Sequence, residues 1–405
     1  MNIFLVVALA MILILYLLRR HTPIGLAILA GGLLIWAVKT PELHYLPEAF
    51  VHTWQLPRTY DLLGALYLVM CLEIELRTSG TLDGMVHALQ RIFSSAKVTL
   101  AVMPAFLGLL PSLGGARFSA PIVAAAARDA DITADQKATI NFWFRHIFEF
   151  SNPIIPGMIM ACSIAGVPYS AFISHLAWLT ALAFGLGWLV IIRPLKMEAV
   201  KKDTGTPDER RKNLIDIVFS LAPVIANFAL AVFFKLNASI SMLIVVLALI
   251  PILLGTGRTI KVKDVFVDAC DWKMFLNVIA ILFFIQLLTD THALDEIVTG
   301  FRNAPLPVPV IIAGVTFVIG VLTGMSQGHV AIIMPIVAAL SPGDLNLAGV
   351  AMAFGIAGQM LTPTHMCLLI TLDYFKANFF KTLKPIALLE VIILTIFSIY
   401  TYLTW

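Results

Sequence analysis

Two short stretches place polar and flexible residues inside runs that are otherwise apolar. Residues 112–125 read SLGGARFSAPIVAA, and residues 326–339 read SQGHVAIIMPIVAA. At an offset of 214 they share the first serine, the glycine two positions later and a PIVAA tail. Small ions can be bound by groups of three kinds found here: serine hydroxyls, backbone groups left accessible at glycines, and a single arginine side chain. Because this unusual motif occurs twice, half a chain apart, the chain is predicted to be a duplication.

The arginine of the first stretch, Arg117, follows the Gly-Gly pair by two residues. A guanidinium at membrane depth costs a few kcal/mol to insert, so it must face a cavity or a partner. In one interpretation it is a countercharge that binds the carboxylate of an anionic substrate in a bidentate fashion. In the other it forms a structural pair with a carboxylate such as Glu149.

The second stretch carries Gln327 and His329 instead of the arginine, and His329 aligns with Gly115. His329 could bind substrate, carry a proton or satisfy a backbone carbonyl. Gln327 could donate a hydrogen bond to substrate or pack within its own turn. The residues alone leave these alternatives open.

Two proline-containing stretches interrupt apolar runs elsewhere, SNPIIPG at 151–157 and LTPTHMC at 361–367. A proline inside a helix removes a hydrogen bond and clashes with a carbonyl one turn back, so backbone groups are released. Aligning the first prolines pairs Asn152 with Thr362. The freed carbonyls favour cations, and the N-termini of half-helices favour anions.

The segment RHIFE precedes the first break and contains Arg145, His146 and Glu149. Arg145 and Glu149 are four residues apart and can share a helical face, which favours a buried ion pair. A carboxylate at Glu149 that couples transport to a proton or ion is the alternative. The His146-x-x-Glu149 spacing resembles that of metal-binding bundles. It has no second copy, so no metal site beyond Na⁺ is predicted.

The predicted site residues form two overlapping sets. The substrate-binding set is Arg117, Ser112, Gly114, Gly115, Asn152, Ser326, Gln327, Gly328, His329, Thr362, Thr364 and His365. The ion-coupling set is Ser112, Ser151, Asn152, Glu149, Ser326 and Thr362. Neutral side-chain and carbonyl oxygens suit Na⁺, and local backbone capping is the alternative for each hydroxyl. No cofactor other than a coupling Na⁺ is expected.

Composition then defines the class of protein that must position these residues. The chain of 405 residues is 60% hydrophobic and 13% charged, with a mean hydropathy of +0.94. Soluble domains are roughly 45–50% apolar and about 25% charged. A polytopic membrane protein is therefore predicted, with the bilayer as its surroundings and no nucleic-acid partner. The four cysteines lie far apart without CxxC spacing, so no disulfide framework is expected.

Apolar runs long enough to cross a bilayer, about 20 residues, recur along the chain. They fall at 2–18, 24–38, 60–78, 136–166 (interrupted), 168–192, 213–234, 238–256, 272–289, 345–375 (interrupted) and 383–403. The first run is expected to be retained rather than cleaved as a signal peptide, because its basic pair follows the apolar run instead of preceding it.

Two further runs, 98–127 and 306–340, are broken by the polar stretches described first. The arms of the first run would be about 18–20 Å long, short of the ~30 Å hydrocarbon core. Such arms fit a re-entrant hairpin that enters and leaves on one side. Non-helical backbone at membrane depth must be buried in protein or line a cavity, so the hairpin tips should face something polar.

The order of elements repeats once. Each half has three spans, a short amphipathic segment (81–93 or 292–302), a hairpin, an interrupted span and a final span. Five crossings per half, an odd number, make the second half inverted relative to the first. We therefore expect an all-α polytopic membrane protein of two inverted repeats. Each repeat has five transmembrane helices plus one re-entrant hairpin, with interrupted helices at the midplane.

The expected domains are a first repeat, a linker and a second repeat. They span 1–192 (hairpin about 98–127, helix break 151–157), 193–212, and 213–405 (hairpin about 306–340, helix break 361–367). A helix over 43–56, rich in aromatic residues, is expected at the outer interface.

The distribution of basic residues tests the topology. With the linker 193–212 in the cytoplasm and both termini outside, 21 of the 27 Lys and Arg residues fall inside and 4 outside. The remaining two, Arg117 and Arg145, lie at membrane depth. Because cytoplasmic loops carry the excess of basic residues, this orientation is favoured. We expect a multi-pass protein of a prokaryotic inner (plasma) membrane.

These motifs resemble those of the ion transporter superfamily, which includes divalent-anion/sodium symporters, citrate transporters, gluconate permeases and arsenite and sodium/proton antiporters. Ser112-Leu113-Gly114 and Ser326-Gln327-Gly328, each followed by a proline, are similar to the Ser-Asn-Thr motifs at hairpin tips in the anion/sodium symporters. TPTH at 362–365 is similar to the family's TPPN, and SNP at 151–153 is its partner. The tip Asn and Thr are absent in both copies. The resemblance implies a transporter, and a homodimer is compatible with it because relatives are often dimers.

The function expected from the sequence is secondary active transport of a small organic anion, a carboxylate, by Na⁺ or H⁺ symport with alternating access. A cation/proton antiporter on the same scaffold is the alternative. A membrane-embedded enzyme is less favoured, because no HExxH or GxSxG motif is present. Inverted repeats with broken helices also favour alternating access over a passive channel.

Overall fold

In the computed structural model, the fold is described for residues 2–81, 84, 95–109, 116–128, 130–197 and 207–405. Across these residues it consists of 19 α-helices, with no β-strand. The prediction of an all-α protein is confirmed at this level.

Nine of the described helices lie in the first half. They are α1 Ile3–Arg19, α2 Ile24–Lys39, α3 Tyr45–Gln55, α4 Pro57–Thr78, α5 Ala96–Leu109, α6 Ala116–Ala126, α7 Ala134–His146, α8 Pro156–Ala165 and α9 Tyr169–Gly187. A 3₁₀ turn, Ile147–Phe150, continues α7, and a π turn, Trp188–Ile192, continues α9. The amphipathic segment predicted over 81–93 lies largely outside the described residues.

The second half repeats that order. Its helices are α10 Pro207–Phe233, α11 Ala238–Gly255, α12 Val262–Asp268, α13 Trp272–Asp290, α14 Ala293–Arg302, α15 Val308–Thr323, α16 Ser326–Leu340, α17 Leu345–Met360, α18 Met366–Phe375 and α19 Phe379–Thr404. The short helix α12 falls between the second and third long helices, as α3 does in the first half. The pairs α5/α6 and α15/α16 correspond, as do the broken helices α7/α8 and α17/α18.

The broken helices begin and end with local signals that recur in both halves. Thr133 and Gln136 form a reciprocal capping box at the start of α7, and Asp344 accepts two backbone N–H groups at the start of α17. After the breaks, α8 is followed by Gly166 and α18 by Lys376, both in the left-handed region with φ of 68° and 54°. Gly166 and Lys376 are 210 residues apart, so the two halves stop these short helices at equivalent positions.

Several helices have the length and composition to cross a membrane. Within the described residues there are five, at Tyr169–Ile192, Leu214–Phe233, Ala238–Gly255, Trp272–Asp290 and Phe379–Thr404. The helices flanking the two polar stretches are 11 to 16 residues long. At 1.5 Å per residue they reach about 17–24 Å, less than the ~30 Å core.

The two halves pack against each other through reciprocal contacts between equivalent helices. The second span of each half, α2 or α11, packs against the third span of the other half, α13 or α4. Likewise, α16 packs against α8, and α6 packs against α18. The final spans α9 and α19 meet each other. A hydrophobic core extends through both halves.

Contacts between connecting segments fall into two groups. In one group, Lys39 at the end of α2 pairs with Glu296 of α14 at 2.6 Å, and Arg302 of α14 donates to the Leu340 carbonyl at 2.9 Å. In the other, Lys97 at the start of α5 donates to the carbonyl of Arg193, which follows the π turn after α9, and the backbone N–H of Asn378 donates to the Asp135 carboxylate at 2.7 Å. The predicted topology assigns the first group to the outer side and the second to the cytoplasmic side.

Arg258, which follows α11, connects elements of both halves at one end of the molecule. It forms an ion pair with the buried Asp216 of α10, and it donates to the Thr81 hydroxyl at 3.1 Å and the Ser79 carbonyl at 3.4 Å. Its guanidinium also lies over the Phe219 ring, 5.5 Å from the centroid. Because it satisfies several groups at once, Arg258 should stabilise the scaffold more than a surface pair does.

We expect Arg258→Ala to lower the free energy of unfolding by about 3 kcal/mol, because Asp216 is left buried without its partner. Thermal unfolding of the purified protein in detergent measures the effect. The matched control is Lys261→Ala, because Lys261 pairs with Asp264 at 4.0 Å through a side chain that is 87% exposed. That pair should contribute less than about 0.5 kcal/mol. Equal losses in the two variants would contradict this role for Arg258.

Close packing of α15 on α17 depends on glycines. A Cβ on Gly358 would collide with the Phe317 carbonyl oxygen, and a Cβ on Gly320 with the Gly355 carbonyl oxygen. Small residues at such contacts let two helix backbones approach closely inside a membrane.

Gly358→Ala is therefore expected to destabilise the protein by about 1–3 kcal/mol through overpacking. Gly314 lies on the same pair of helices, and no atom lies within 4 Å of a Cβ built there. Gly314→Ala should raise stability by up to about 1 kcal/mol, because alanine favours the helix. Melting temperatures of the two variants measured side by side test the contrast, and a stability gain for Gly358→Ala would refute it.

Candidate functional site

The first helix break is organised by Asn152. After the 3₁₀ turn that continues α7, Asn152 is fully buried and its Oδ1 accepts from the backbone N–H of Ile154 at 3.0 Å. Its Nδ2 donates to the carbonyls of Leu109 at 2.9 Å and Gly108 at 3.3 Å. Those carbonyls belong to the last two described residues of α5. One side chain thus shapes the break and caps the neighbouring hairpin arm.

The second break uses Thr362 in the equivalent position. Thr362 is 1% exposed, and its hydroxyl accepts from the backbone N–H of Thr364 at 3.3 Å and hydrogen-bonds the Thr364 hydroxyl at 2.9 Å. Gly324, at the turn between α15 and α16, is left-handed, with φ of 66°. A Cβ on Gly324 would collide with the Thr364 hydroxyl. Each break therefore packs against the hairpin of its own half.

A contact between Ser326 and Gly157 joins the two halves at this level. A Cβ on Gly157, in the first turn of α8, would lie 2.5 Å from the Ser326 hydroxyl at the start of α16. The N-termini of α8 and α16, which belong to different halves, are therefore adjacent. Two helix N-termini at one place favour negative charge.

Glu149 and Gln359 face each other between the two breaks. Aligning the breaks at an offset of 210 pairs these same two residues. The sequence places Arg145 and Glu149 on one α-helical face, but α7 ends at His146 and the following 3₁₀ turn changes that register. Arg145 is buried, donates to the Leu107 carbonyl at 3.3 Å and acts on the Glu149 carboxyl through its charge.

Three histidines surround this region. His146 Nδ1 bonds the Phe142 carbonyl at 2.7 Å, and His365 Nδ1 bonds the Gln359 carbonyl at 2.9 Å. His329 is completely buried beside Gly355, where a Cβ would overlap its ring. The fit between His329 and Gly355 assigns this histidine at least a packing role in the second hairpin.

The structure brings many of the predicted site residues together. Those around the two breaks and the second hairpin turn are Glu149, Ser151, Asn152, Ser326, Gln327, Gly328, His329, Thr362, Thr364 and His365. Gly328 packs on Thr323, Gln327 is half-buried, and Ser151 bonds the Thr180 hydroxyl at 2.7 Å. Ser112, Gly114 and Gly115 lie outside the described residues, as does the side chain of Arg117.

Sequence reasoning did not select Thr180, Gln359 or Cys367. Gln359 had a signal, because the alignment that pairs the two breaks also pairs it with Glu149. Thr180 lies in the uninterrupted apolar helix α9, and Cys367 is one of the four cysteines for which the sequence predicts only that no disulfide framework forms. Cys367 is the last residue of the second break at 361–367, whereas nothing local in the sequence marks Thr180 as a neighbour of the breaks.

The fold is that of an integral membrane protein, with five helices among the described residues that are long and apolar enough to cross a membrane. The crystal structure of the YdaH transporter of Alcanivorax borkumensis, reported to have an unusual topology, superposes with a TM-score of 0.62. The match covers 90% of this chain and 90% of that chain at 13% sequence identity, so the likeness concerns the fold. No curated protein matches the sequence. The chain itself belongs to the family described as "Protein of unknown function (DUF401)", whose model matches residues 3–404.

The role of Asn152 predicts the effect of removing its amide. Asn152→Ala would leave two carbonyls of α5 and one backbone N–H of the break buried without this partner, so we expect a loss of about 2–3 kcal/mol of stability. Thr395→Ala is the matched control, because that exposed hydroxyl bonds only the carbonyl of Val391 in its own helix. Apparent melting temperatures that fall equally in both variants would contradict the role of Asn152.

Proposed function

We propose that this protein is a secondary active transporter of a small organic anion, a carboxylate, working by Na⁺ or H⁺ symport with alternating access. The observation that carries the proposal is the contact of Ser326 with Gly157, where helix N-termini of the two halves meet beside both breaks. Broken helices whose N-termini point at a shared site are the arrangement by which secondary transporters bind anions. The likeness to the fold of the YdaH transporter supports the transport role.

Inversion of the two repeats is supported by where equivalent helices end. The helix α2 ends at Lys39, beside Glu296, in the contact group assigned to the outer side. Its equivalent α11 ends near Arg258, beside Ser79 and Thr81, next to the segments assigned to the cytoplasmic side. Equivalent helices that end at opposite faces are expected of inverted repeats.

The pair Glu149 and Gln359 supports a two-fold axis through the site. Residues at equivalent positions of two repeats can contact each other only near the axis that relates the repeats. In this proposal the site therefore lies on the axis, at mid-depth, where inverted-repeat transporters bind their solute.

The groups around the axis suggest which solute and which ion are bound. Helix N-termini and the charge of Arg145 favour a carboxylate, and Arg117 is proposed as a second cationic group for it. Hydroxyl and carbonyl oxygens at Ser151, Asn152 and Thr362 are the proposed ligands of a coupling Na⁺. Glu149 is the proposed group if the coupling ion is a proton.

A cleft of about 460 Å³ supports an access route from the cytoplasmic side of the predicted topology. It is lined by residues of α7, of the π turn that continues α9 and of α19, among them Asp135, Thr139 and Lys381. The helix α7 runs from this cleft to His146, where the 3₁₀ turn that leads into the break begins.

A cation/proton antiporter is the second candidate, favoured by the carboxyl of Glu149 at the proposed axis. Both candidates use the Glu149 carboxyl when the coupling ion is a proton, so they differ in whether transport requires Arg117. Anion symport requires a cation for the substrate, so Arg117→Ala should abolish it. Antiport requires the carboxyl, so it should tolerate Arg117→Ala and be lost in Glu149→Gln.

Uptake into proteoliposomes tests the proposal. We expect an imposed inward Na⁺ or H⁺ gradient to drive accumulation of a labelled small carboxylate. Glu149→Gln should reduce proton-driven uptake at least about tenfold, equivalent to 1.4 kcal/mol. The control is Glu48→Gln, which changes an exposed carboxylate on α3 and should leave uptake unchanged. Uptake that ignores both gradients would exclude coupled transport.

A further inference from the structure

Three side chains of types that bind transition metals lie together between the breaks. They are His146 at the end of α7, His365 directly before α18 and Cys367 in the first turn of α18. The nearest ligand atoms of the three, imidazole nitrogens and the thiol sulfur, all lie within 4.8 Å of one another. The two imidazole rings are nearly perpendicular, with centroids 4.7 Å apart.

Backbone carbonyls fix the tautomer of both histidines. The Phe142 carbonyl lies 2.7 Å from His146 Nδ1, and the Gln359 carbonyl lies 2.9 Å from His365 Nδ1. Since a carbonyl can only accept, each Nδ1 carries the hydrogen and each Nε2 keeps its lone pair. Metal-binding histidines are commonly held in this way, with the second ring nitrogen bonded to a carbonyl or carboxylate.

The surroundings are apolar but not sealed. The Phe142 ring contacts both imidazoles, tilted against His146 with centroids 4.6 Å apart and edge-on to His365 with centroids 5.0 Å apart. Each histidine is 6% exposed, and Cys367 is half-buried. An ion could therefore reach the Cys367 thiol. The Phe142 ring would exclude most of the water that competes with the three side chains for the ion.

We propose that His146, His365 and Cys367 bind one soft d¹⁰ metal ion, Zn²⁺ or Cu⁺. Two imidazoles and one thiolate are the ligand types that these ions share. Bond lengths of about 2.0–2.1 Å to nitrogen and 2.3 Å to sulfur bring ligand atoms to roughly 3.5 Å from each other. The ligand atoms must therefore move together by about 1 Å.

Charge distinguishes the two ions. With a thiolate, Cu⁺ forms a neutral site, whereas Zn²⁺ leaves one positive charge. Arg145 is adjacent to His146 in sequence and its charge acts on both histidines, which favours the ion that adds less charge. Glu149, on which Arg145 also acts, offsets part of that charge.

The ligands come from both halves of the chain, so a bound ion would hold the two breaks together. This consequence rests on the proposed transport function: a protein that must move one half against the other should be inhibited by such a link. Binding itself requires no transport, so the two claims can be tested separately.

The test uses the purified full-length chain in detergent, freed of metal. Isothermal titration with Zn²⁺, and competition with a chromophoric chelator for Cu⁺ under anaerobic reducing conditions, should show one ion per chain. Co²⁺ as a spectroscopic probe should give a thiolate charge-transfer band. Cys367→Ser should weaken binding by about 100-fold, at the upper end of losses seen for supporting residues of metal sites, and remove that band.

Cys270→Ser is the matched control, because Cys270 is exposed and distant from the breaks in sequence. It should bind metal as tightly as the parent chain. Cys367→Ser should keep the parent's melting temperature without metal, which separates lost ligation from misfolding. Binding of neither ion, or equal binding by Cys367→Ser and the parent, would overturn the site and leave the transport proposal standing.

Transport provides the second readout. Micromolar Zn²⁺ or Cu⁺ should inhibit uptake by the parent, and Cys367→Ser should resist inhibition. If metal binds one per chain but uptake is unchanged, the cross-linking consequence is overturned and the metal site stands. If no carboxylate is taken up in any condition, the transport proposal fails and the binding data alone decide the site.

Discussion

Breaking a helix inside an apolar bundle frees backbone groups where no water is at hand to bind them, and the arrangement of the site follows from how these groups are satisfied. Asn152 and Thr362 do this in the same way, each accepting the backbone N–H two residues later. Asn152 then reaches the end of the hairpin arm α5, and the second break meets its own hairpin through Thr364 and Gly324. Because each break is tied to a hairpin, the two hairpins and the two breaks form one unit at the centre of the fold.

The halves use different residues to fill equivalent space. At an offset of 210, Arg145 corresponds to Gly355, and Glu149 corresponds to Gln359. In the second half, His329 occupies the volume that Gly355 leaves open. In the first half, the position equivalent to Gly355 carries a large residue, Arg145 of α7. The polar and charged groups are therefore unequally divided between two halves whose helices are arranged alike. Such asymmetry is what a site needs if it binds an anion on one side and a small cation on the other.

Features that depend on local chemistry could be predicted from the sequence. The breaks at 151–157 and 361–367 follow from their prolines, and the capping box at Thr133 begins α7 where the polar-to-apolar change occurs. Partners distant in the chain could not be predicted. His146 and His365 are 219 residues apart, and no spacing rule relates them. Glu149 lies in a 3₁₀ turn, Ile147–Phe150, rather than in the α-helix on which its predicted spacing from Arg145 depends.

The central claim is that equivalent elements of the two halves face opposite sides of the membrane. Accessibility of single cysteines in a cysteine-free chain tests it directly, with Glu42→Cys after α2 and Lys263→Cys after α11, both at exposed positions. A membrane-impermeant maleimide applied from outside should label Glu42→Cys, and should label Lys263→Cys only after the membrane is opened. Labelling of both positions from the same side would contradict the inverted arrangement, and with it the site between the two breaks.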